Sequence, residues 1–211
     1  MEVRDVTRRY GTNPESNPVP DFLLKETFEG INLYYKGYRQ VLTREKTLED
    51  IMGCSTLQFV ILNYLLHLLH KNLDIDKYII GTNEAGVHLG YRKNFSNDIA
   101  VYDWAVLTPE KISARYADVA PKLVVEVDVD FEVDAAETDI STLDVVHGKI
   151  RKMLEFGTER FIWIFSASKK VLIAEAGRSE WTIIDWKTDF ELWPGVICNT
   201  GAYLEEKNII V

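Results

Sequence analysis

Apolar and polar positions follow two different periods along this chain, and the periods mark out its elements. In "CSTLQFVILNYLLHLLHKNL" the residues Leu57, Val60, Ile61, Tyr64, Leu65, Leu68 and Leu69 recur at helical spacing, and Ser55 is placed to cap the first turn. "STLDVVHGKIRKMLEFG" predicts a second helix over 143–156, with a stripe of Leu143, Val146, Ile150, Met153 and Leu154 and an end at Gly157. Shorter β-prone runs surround these helices. "INLYYKGYRQVL" predicts a hairpin that turns at Lys36-Gly37, with the glycine supplying a positive φ. "DKYIIGTNEAGVHLG" predicts two short strands with glycine-rich breaks. "SNDIAVYDWAVL" predicts a strand from Ile99 to Val106 with Asp98 at its start, and "RFIWIFS", "KKVLIAEAG" and "EWTIIDW" predict three more. This order implies an α/β (α+β-like) fold, a central mixed β-sheet flanked by helices with an N-terminal hairpin and helix. Residues 1–20, which include "GTNPESNPVP", predict a loop or arm, and 21–211 a single domain.

One strand breaks its own pattern. "PKLVVEVDVDFEVD" (121–134) begins as a buried run, Leu123, Val124 and Val125, and then carries acids at every second position, Glu126, Asp128 and Asp130. Side chains alternate across a strand, so Val124, Glu126 and Asp128 share one face. A carboxylate inside such a run is costly to bury unless it is paired or binds a cation. Either the strand leaves the core here and its acids reach water, or the acids form a site.

Composition narrows the choice of partner. The 211 residues are 46% hydrophobic and 27% charged, enough for a folded core, and the net charge is −9. Such a chain is not a generic nucleic-acid coat, since phosphate affinity needs clustered Lys and Arg, but it is compatible with an enzyme built around an acidic metal site. Cys54 and Cys198 lie far apart without metal-type spacing and read as reduced thiols, which favours the cytoplasm. The N-terminal stretch lacks the apolar core of a signal peptide. The apolar region at 57–69 is interrupted by Gln58, Asn63 and His67 and reads as too short and too polar to span a membrane.

Two further residues complete a constellation. Asp98 sits in "SNDIAVYD". At about 100° per residue, Lys149 falls at the edge of the second helix's apolar stripe, where its stem can lie on a sheet and its ammonium can reach carboxylates. Asp, Glu and Lys together suit metal-assisted phosphodiester hydrolysis: hard oxygen ligands hold Mg²⁺ or Mn²⁺, and the lysine steadies charge in the transition state. The competing readings are a solvated lysine and a turn or capping acid.

"NDIAVYD", "PKLVVEVDV" and "GKIRKMLEFGTERFIWIF" resemble, in that order, the Uma-type endonuclease family of the restriction-endonuclease-like PD-(D/E)XK superfamily. Lys149, Gly157 and Trp163 fall where that pattern expects them, and the resemblance covers roughly residues 22–205. It implies a restriction-endonuclease-like fold. Asp98 and Glu126 would be the metal acids, the Val127 backbone carbonyl a further ligand and Lys149 the catalytic lysine supplied from the helix. Asp128 stands in the slot that usually holds the lysine, where it could serve as a ligand to a second cation. The usual Pro before the first acid is Asn97, the aromatic often found four residues after the helix lysine is Met153, and the hairpin turn has Lys36 where Asp is common. The segment "DVDFEVDAAETD" replaces a Ser-containing one, and its charge beside the site repels phosphate.

The resemblance thus implies a Mg²⁺- or Mn²⁺-dependent nuclease whose partner is nucleic acid, DNA before RNA, with no membrane and with a homodimer compatible. The alternative is a non-catalytic interaction or assembly module that keeps the nuclease-like fold. Secondary candidates are His67 and His70, three apart on one helix; His147 near Lys149; Glu26 and Glu29 before the hairpin; and Arg92 and Lys93 ahead of Asp98. Each of these also has an ordinary packing or surface reading.

Overall fold

A computed structural model describes residues 19–90 and 93–211. Most of the predicted N-terminal arm, residues 1–18, lies outside the described residues, as does Arg92. The chain forms two compact units, one from Met1–Gly53 with Asp130–Val146, the other from Cys54–Val129 with His147–Val211. Elements are numbered in chain order.

The first unit holds β1 (Leu24–Phe28), β2 (Ile31–Tyr35), the short helices α1 (Tyr38–Leu42) and α2 (Glu49–Met52), and β6 (Phe131–Val133). Its antiparallel sheet has the order β1-β2-β6. The expected hairpin exists, but its turn is Glu29-Gly30, with φ of 49° and 84°, rather than Lys36-Gly37. Two adjacent positive φ values match the right-handed twist of the flanking strands. Gly37 does take a positive φ, 89°, but it opens α1, because the residues after it close into a helical turn. Leu23, Tyr34 and Tyr38 form the small core. Burial, and next the neighbouring Asp134, push the Tyr38 phenol up to about 12.

The acidic run of 130–137 is spent inside this unit. Asp130 pairs with Lys25, and Asp134 with Arg39 at 2.8 Å. Glu132 accepts from the Gly37 N–H at 3.2 Å, and Glu137 accepts from the Tyr34 hydroxyl at 2.6 Å and the Asn32 amide at 3.2 Å. These acids are anchors for β6 and its turn, which answers why they follow a buried strand so closely.

The second unit is built on a six-stranded mixed sheet of order β3-β4-β5-β7-β8-β9. Its strands are β3 (Tyr78–Gly90), β4 (Lys93–Asp103), β5 (Leu123–Val127), β7 (Arg160–Phe165), β8 (Lys170–Glu175) and β9 (Thr182–Asp185). Neighbours are antiparallel except β5 and β7, whose connection carries helix α4 (Thr142–Phe156). The two short strands expected at 77–90 are one long strand. A bulge at Asn83 and Glu84, both with positive φ, absorbs the glycine-rich irregularity without ending the pairing. Beyond the sheet come the hairpin β10 (Phe190–Trp193) and β11 (Val196–Cys198), then α5 (Thr200–Glu206). The edge of β3 is partly closed by the loop that follows β4. Ala117 bridges to Val87 in parallel fashion, with the His88 N–H on its carbonyl at 2.7 Å and its own N–H on Gly86 at 3.0 Å.

Helix α3 (Thr56–Asn72) covers one face. Ser55 caps it as expected, accepting from the Gln58 N–H at 3.1 Å. Ile61, Leu65 and Leu69 are fully buried against Ile99, Val101, Leu123, Val125, Val127, Ile162 and Ile164, while the other expected stripe residues are only partly buried. The longer stretch Glu49–Asn72 is long and apolar enough to cross a membrane by length and composition only. Gly53 is extended, however, and α3 itself starts after Ser55 and keeps one face in the core.

The opposite side chains of the same strands, Ala100, Tyr102, Val124, Phe161 and Trp163, are also buried. On α4 the buried positions are Val145, Val146, Lys149, Ile150 and Met153, whereas Leu143 is 54% exposed and Leu154 half-buried. The expected stripe was therefore rotated. At about 100° per residue the buried face centres between Val146, Lys149 and Met153, which leaves Leu143 and Leu154 at its margin. Ile150→Ala is expected to cost about 2–5 kcal/mol, because it deletes a fully buried side chain that its neighbours cannot wholly replace. Urea unfolding checks this; a change within experimental error would mean that the packed face is misassigned.

Candidate active site

Asp98 lies in the middle of β4, not at its start, because pairing with β3 continues upstream through Asn97 and Phe95. The residue that replaces the expected Pro takes part in that pairing. Asn97 is buried and donates its side-chain amide to the Ala85 carbonyl at 3.0 Å, across the bulge in β3.

The register pairs Ile99 with Val125, so Asp98 stands opposite Glu126 on the neighbouring strand. Two hydrogen bonds lock the pair at the point where the β4–β5 ladder stops. The Val127 N–H donates to Asp98 Oδ2 at 2.8 Å, and the Asp98 N–H reaches Glu126 Oε2 at 3.4 Å. Both acids are half-buried. Like charges directly across two strands repel, so this arrangement calls for a positive charge or ion.

Lys149 is only 7% exposed. Its ammonium lies 5.6 Å from the centre of the Phe95 ring, three residues before Asp98 on β4. The helix edge expected for it is in fact the middle of the buried face, so the solvated reading of this lysine does not hold. A buried ammonium is tolerated only with compensating partners.

Asp128 goes elsewhere. The strand ends at Val127, and Asp128 adopts φ 63°, which reverses the chain. Its carboxylate accepts from the Ser166 N–H at 2.6 Å and the Ser166 hydroxyl at 2.7 Å. Its carbonyl accepts from the Trp163 indole at 2.7 Å, and its N–H donates to Ile164 at 2.7 Å. The acid suggested as a ligand to a second cation thus binds β5 to the end of β7.

The Val127 carbonyl is held by Gln58, a residue that sequence reasoning passed over as a mere interruption of an apolar helix. Gln58 Nε2 donates to it at 3.0 Å from a side chain that is 8% exposed. The available signal was its place, three and seven residues before Ile61 and Leu65, on the stripe that faces the core.

The secondary candidates scatter. His67 and His70 are both exposed on α3. His147 packs edge-on against Trp181, with ring centres 5.4 Å apart. Glu26 belongs to β1, and Glu29 occupies the β1–β2 turn. The side chain of Lys93, like Arg92, lies outside what is described.

Asp98, Glu126 and the Val127 carbonyl offer oxygen donors alone, the chemistry that suits Mg²⁺ or Mn²⁺. Among the described residues no three His, Cys, Asp or Glu side chains converge as a metal cage. That fits Mg²⁺, which commonly takes one or two carboxylates and keeps several waters.

No family model matches the chain, and no curated protein matches it. Among solved structures it is similar to the crystal structure of "a putative nuclease belonging to DUF820" from Anabaena variabilis ATCC 29413. The TM-score is 0.60 at 13% sequence identity, over 86% of this chain and 93% of the other. At that identity the likeness shows the fold alone: a mixed central sheet flanked by helices.

Proposed function

We propose that the protein is a divalent-metal-dependent nuclease of Uma type that hydrolyses phosphodiester bonds of DNA. The observation that carries the reading is the Asp98–Glu126 pair, set face to face on adjacent strands and joined through backbone N–H groups, with the ammonium of the buried Lys149 5.6 Å from the ring of Phe95 on the strand that carries Asp98. The fold neighbour's description as a nuclease supports it. Asp98, Glu126 and the Val127 carbonyl would hold Mg²⁺ or Mn²⁺. When bound, the ion supplies Lewis-acid polarisation of phosphate and a more acidic water. The chain's own contribution is electrostatic. Lys149, only 7% exposed, would bring its ammonium toward the acids and oppose the negative charge that grows as the phosphodiester is attacked. The hydrogen bonds to Asp98 and Glu126 keep their carboxylates oriented, so little reorganisation remains for the reaction itself.

The test is cleavage of mixed duplex DNA, single-stranded DNA and RNA, with Mg²⁺ or Mn²⁺ and with EDTA. Metal-dependent cleavage of DNA supports the reading. Folded protein inert on all substrates would favour the non-catalytic module, and cleavage confined to RNA would correct the substrate.

The ion pairs Asp130–Lys25 and Asp134–Arg39 balance part of the charge of the acidic run, but Asp98 and Glu126 remain a barrier to phosphate. Binding of a labelled duplex is therefore expected to be weak in EDTA and several-fold tighter in Ca²⁺. Its salt dependence should be shallow, at about 0.9 log unit per phosphate contact, because basic residues are scattered. Fluorescence anisotropy checks this, and equal affinity in EDTA and Ca²⁺ would count against it.

A further inference from the structure

We infer that Gln58 is a positioning residue of the cation site, which acts by aiming the Val127 carbonyl; the inference rests on the metal-binding reading above. Gln58 lies in the first turn of α3, on the stripe that buries Ile61, Leu65 and Leu69. An amide at such a position is retained only where its polar atoms find partners. Its partner is the carbonyl of a residue 69 positions away, at 3.0 Å. Because that acceptor is a carbonyl, the nitrogen of the amide must face it, which fixes the amide's orientation.

Val127 is the last residue of β5 and lies beyond the end of the β4–β5 ladder. Side chains take over both of its backbone groups: Asp98 accepts from its N–H and Gln58 donates to its C=O. On the next residue, the Asp128 N–H is fixed to Ile164 and the carboxylate to Ser166. The peptide that joins Val127 to Asp128 is thus clamped from both ends. A carbonyl oxygen has two lone pairs. With one held by Gln58, the other has a defined direction and remains for an ion. Groups that orient a ligand in this way commonly change metal affinity by about 10–100-fold when removed.

A purely structural role, satisfying a buried carbonyl at a strand end, makes a different prediction. The experiment compares wild type, Gln58→Met and Gln58→Glu by Mn²⁺ titration calorimetry and by melting in EDTA. Both variants should melt lower in EDTA, since neither donates to Val127 at neutral pH. Their metal affinities should part: Gln58→Met should bind Mn²⁺ about 10–100-fold more weakly than wild type. Gln58→Glu sets a negative charge beside the carbonyl and should bind more tightly than Gln58→Met. Both variants binding Mn²⁺ as wild type does, at lower melting temperature, would overturn the inference and leave the site itself standing. Wild type without measurable Mn²⁺ binding would overturn both. Should Gln58→Met fail to fold, Gln58→Asn, uncharged but too short to reach Val127, replaces it: affinity as in wild type overturns the positioning role, and a loss of about 10-fold or more supports it.

Discussion

Lys149→Met is expected to lower metal-dependent cleavage by about 10²–10³-fold, the usual effect of removing one preorganised group that stabilises transition-state charge. The structure makes this residue a sharper test than the sequence did. A solvated lysine could be replaced at a cost within about 0.5 kcal/mol. Lys149 is instead buried in the middle of the packed face of α4, above Phe95. Methionine keeps the apolar stem and can pack its sulfur on that ring, so the fold should survive. The ammonium is not a ligand, so Mn²⁺ should still bind. Lys149→Arg should rescue only in part, because a planar fork does not reproduce a compact point charge. The decisive comparison is cleavage rate beside melting temperature and Mn²⁺ affinity. A mutant that cleaves at the wild-type rate would remove Lys149 from the site and move the reading to the non-catalytic module.

Replacing both acids, Asp98→Asn with Glu126→Gln, is expected to abolish cleavage and the stabilisation that metal confers. A ligand that binds only the native state at a hundred times its dissociation constant adds about 2.7 kcal/mol, which shows as a rise in melting temperature. The double variant should lose that rise while remaining folded, because amides can occupy the same positions between β4 and β5. Differential scanning calorimetry with and without Mn²⁺ measures it. An undiminished rise in the double variant would place the ion elsewhere.

How much of this was legible depends on the interaction that fixes each residue. Local periodicity located α3, α4 and the run of β7, β8 and β9, and alternation placed Glu126 on the face away from Val125. The hairpin existed, but its turn was misplaced. Lys36-Gly37 and Glu29-Gly30 offer the same local chemistry, and only pairing of Leu24–Phe28 with Ile31–Tyr35 decides between them. The break in β3 failed for a related reason: a bulge keeps a strand paired through residues that otherwise end one. Lys149 was placed at the margin because the stripe was drawn through leucines. Leu143 proved exposed, and the lysine took the centre. The partners of Gln58 and Asp128 were out of reach, since Val127 and Ser166 are distant in the chain, although the place of Gln58 on the core-facing stripe was readable.

The loop that bridges to β3 at Ala117 bears on how the protein behaves in concentrated solution. A sheet edge with unpaired backbone groups is a template on which another chain can build, the first step toward aggregation. Ala117 occupies those groups at Gly86 and His88 with the chain's own backbone. Gly86 makes the closure possible, because a side chain there would meet the Tyr116 ring at 2.3 Å. A missing Cβ in one edge strand thus protects the molecule from its own copies, and the loss of that glycine would be felt in solubility before it was felt in catalysis.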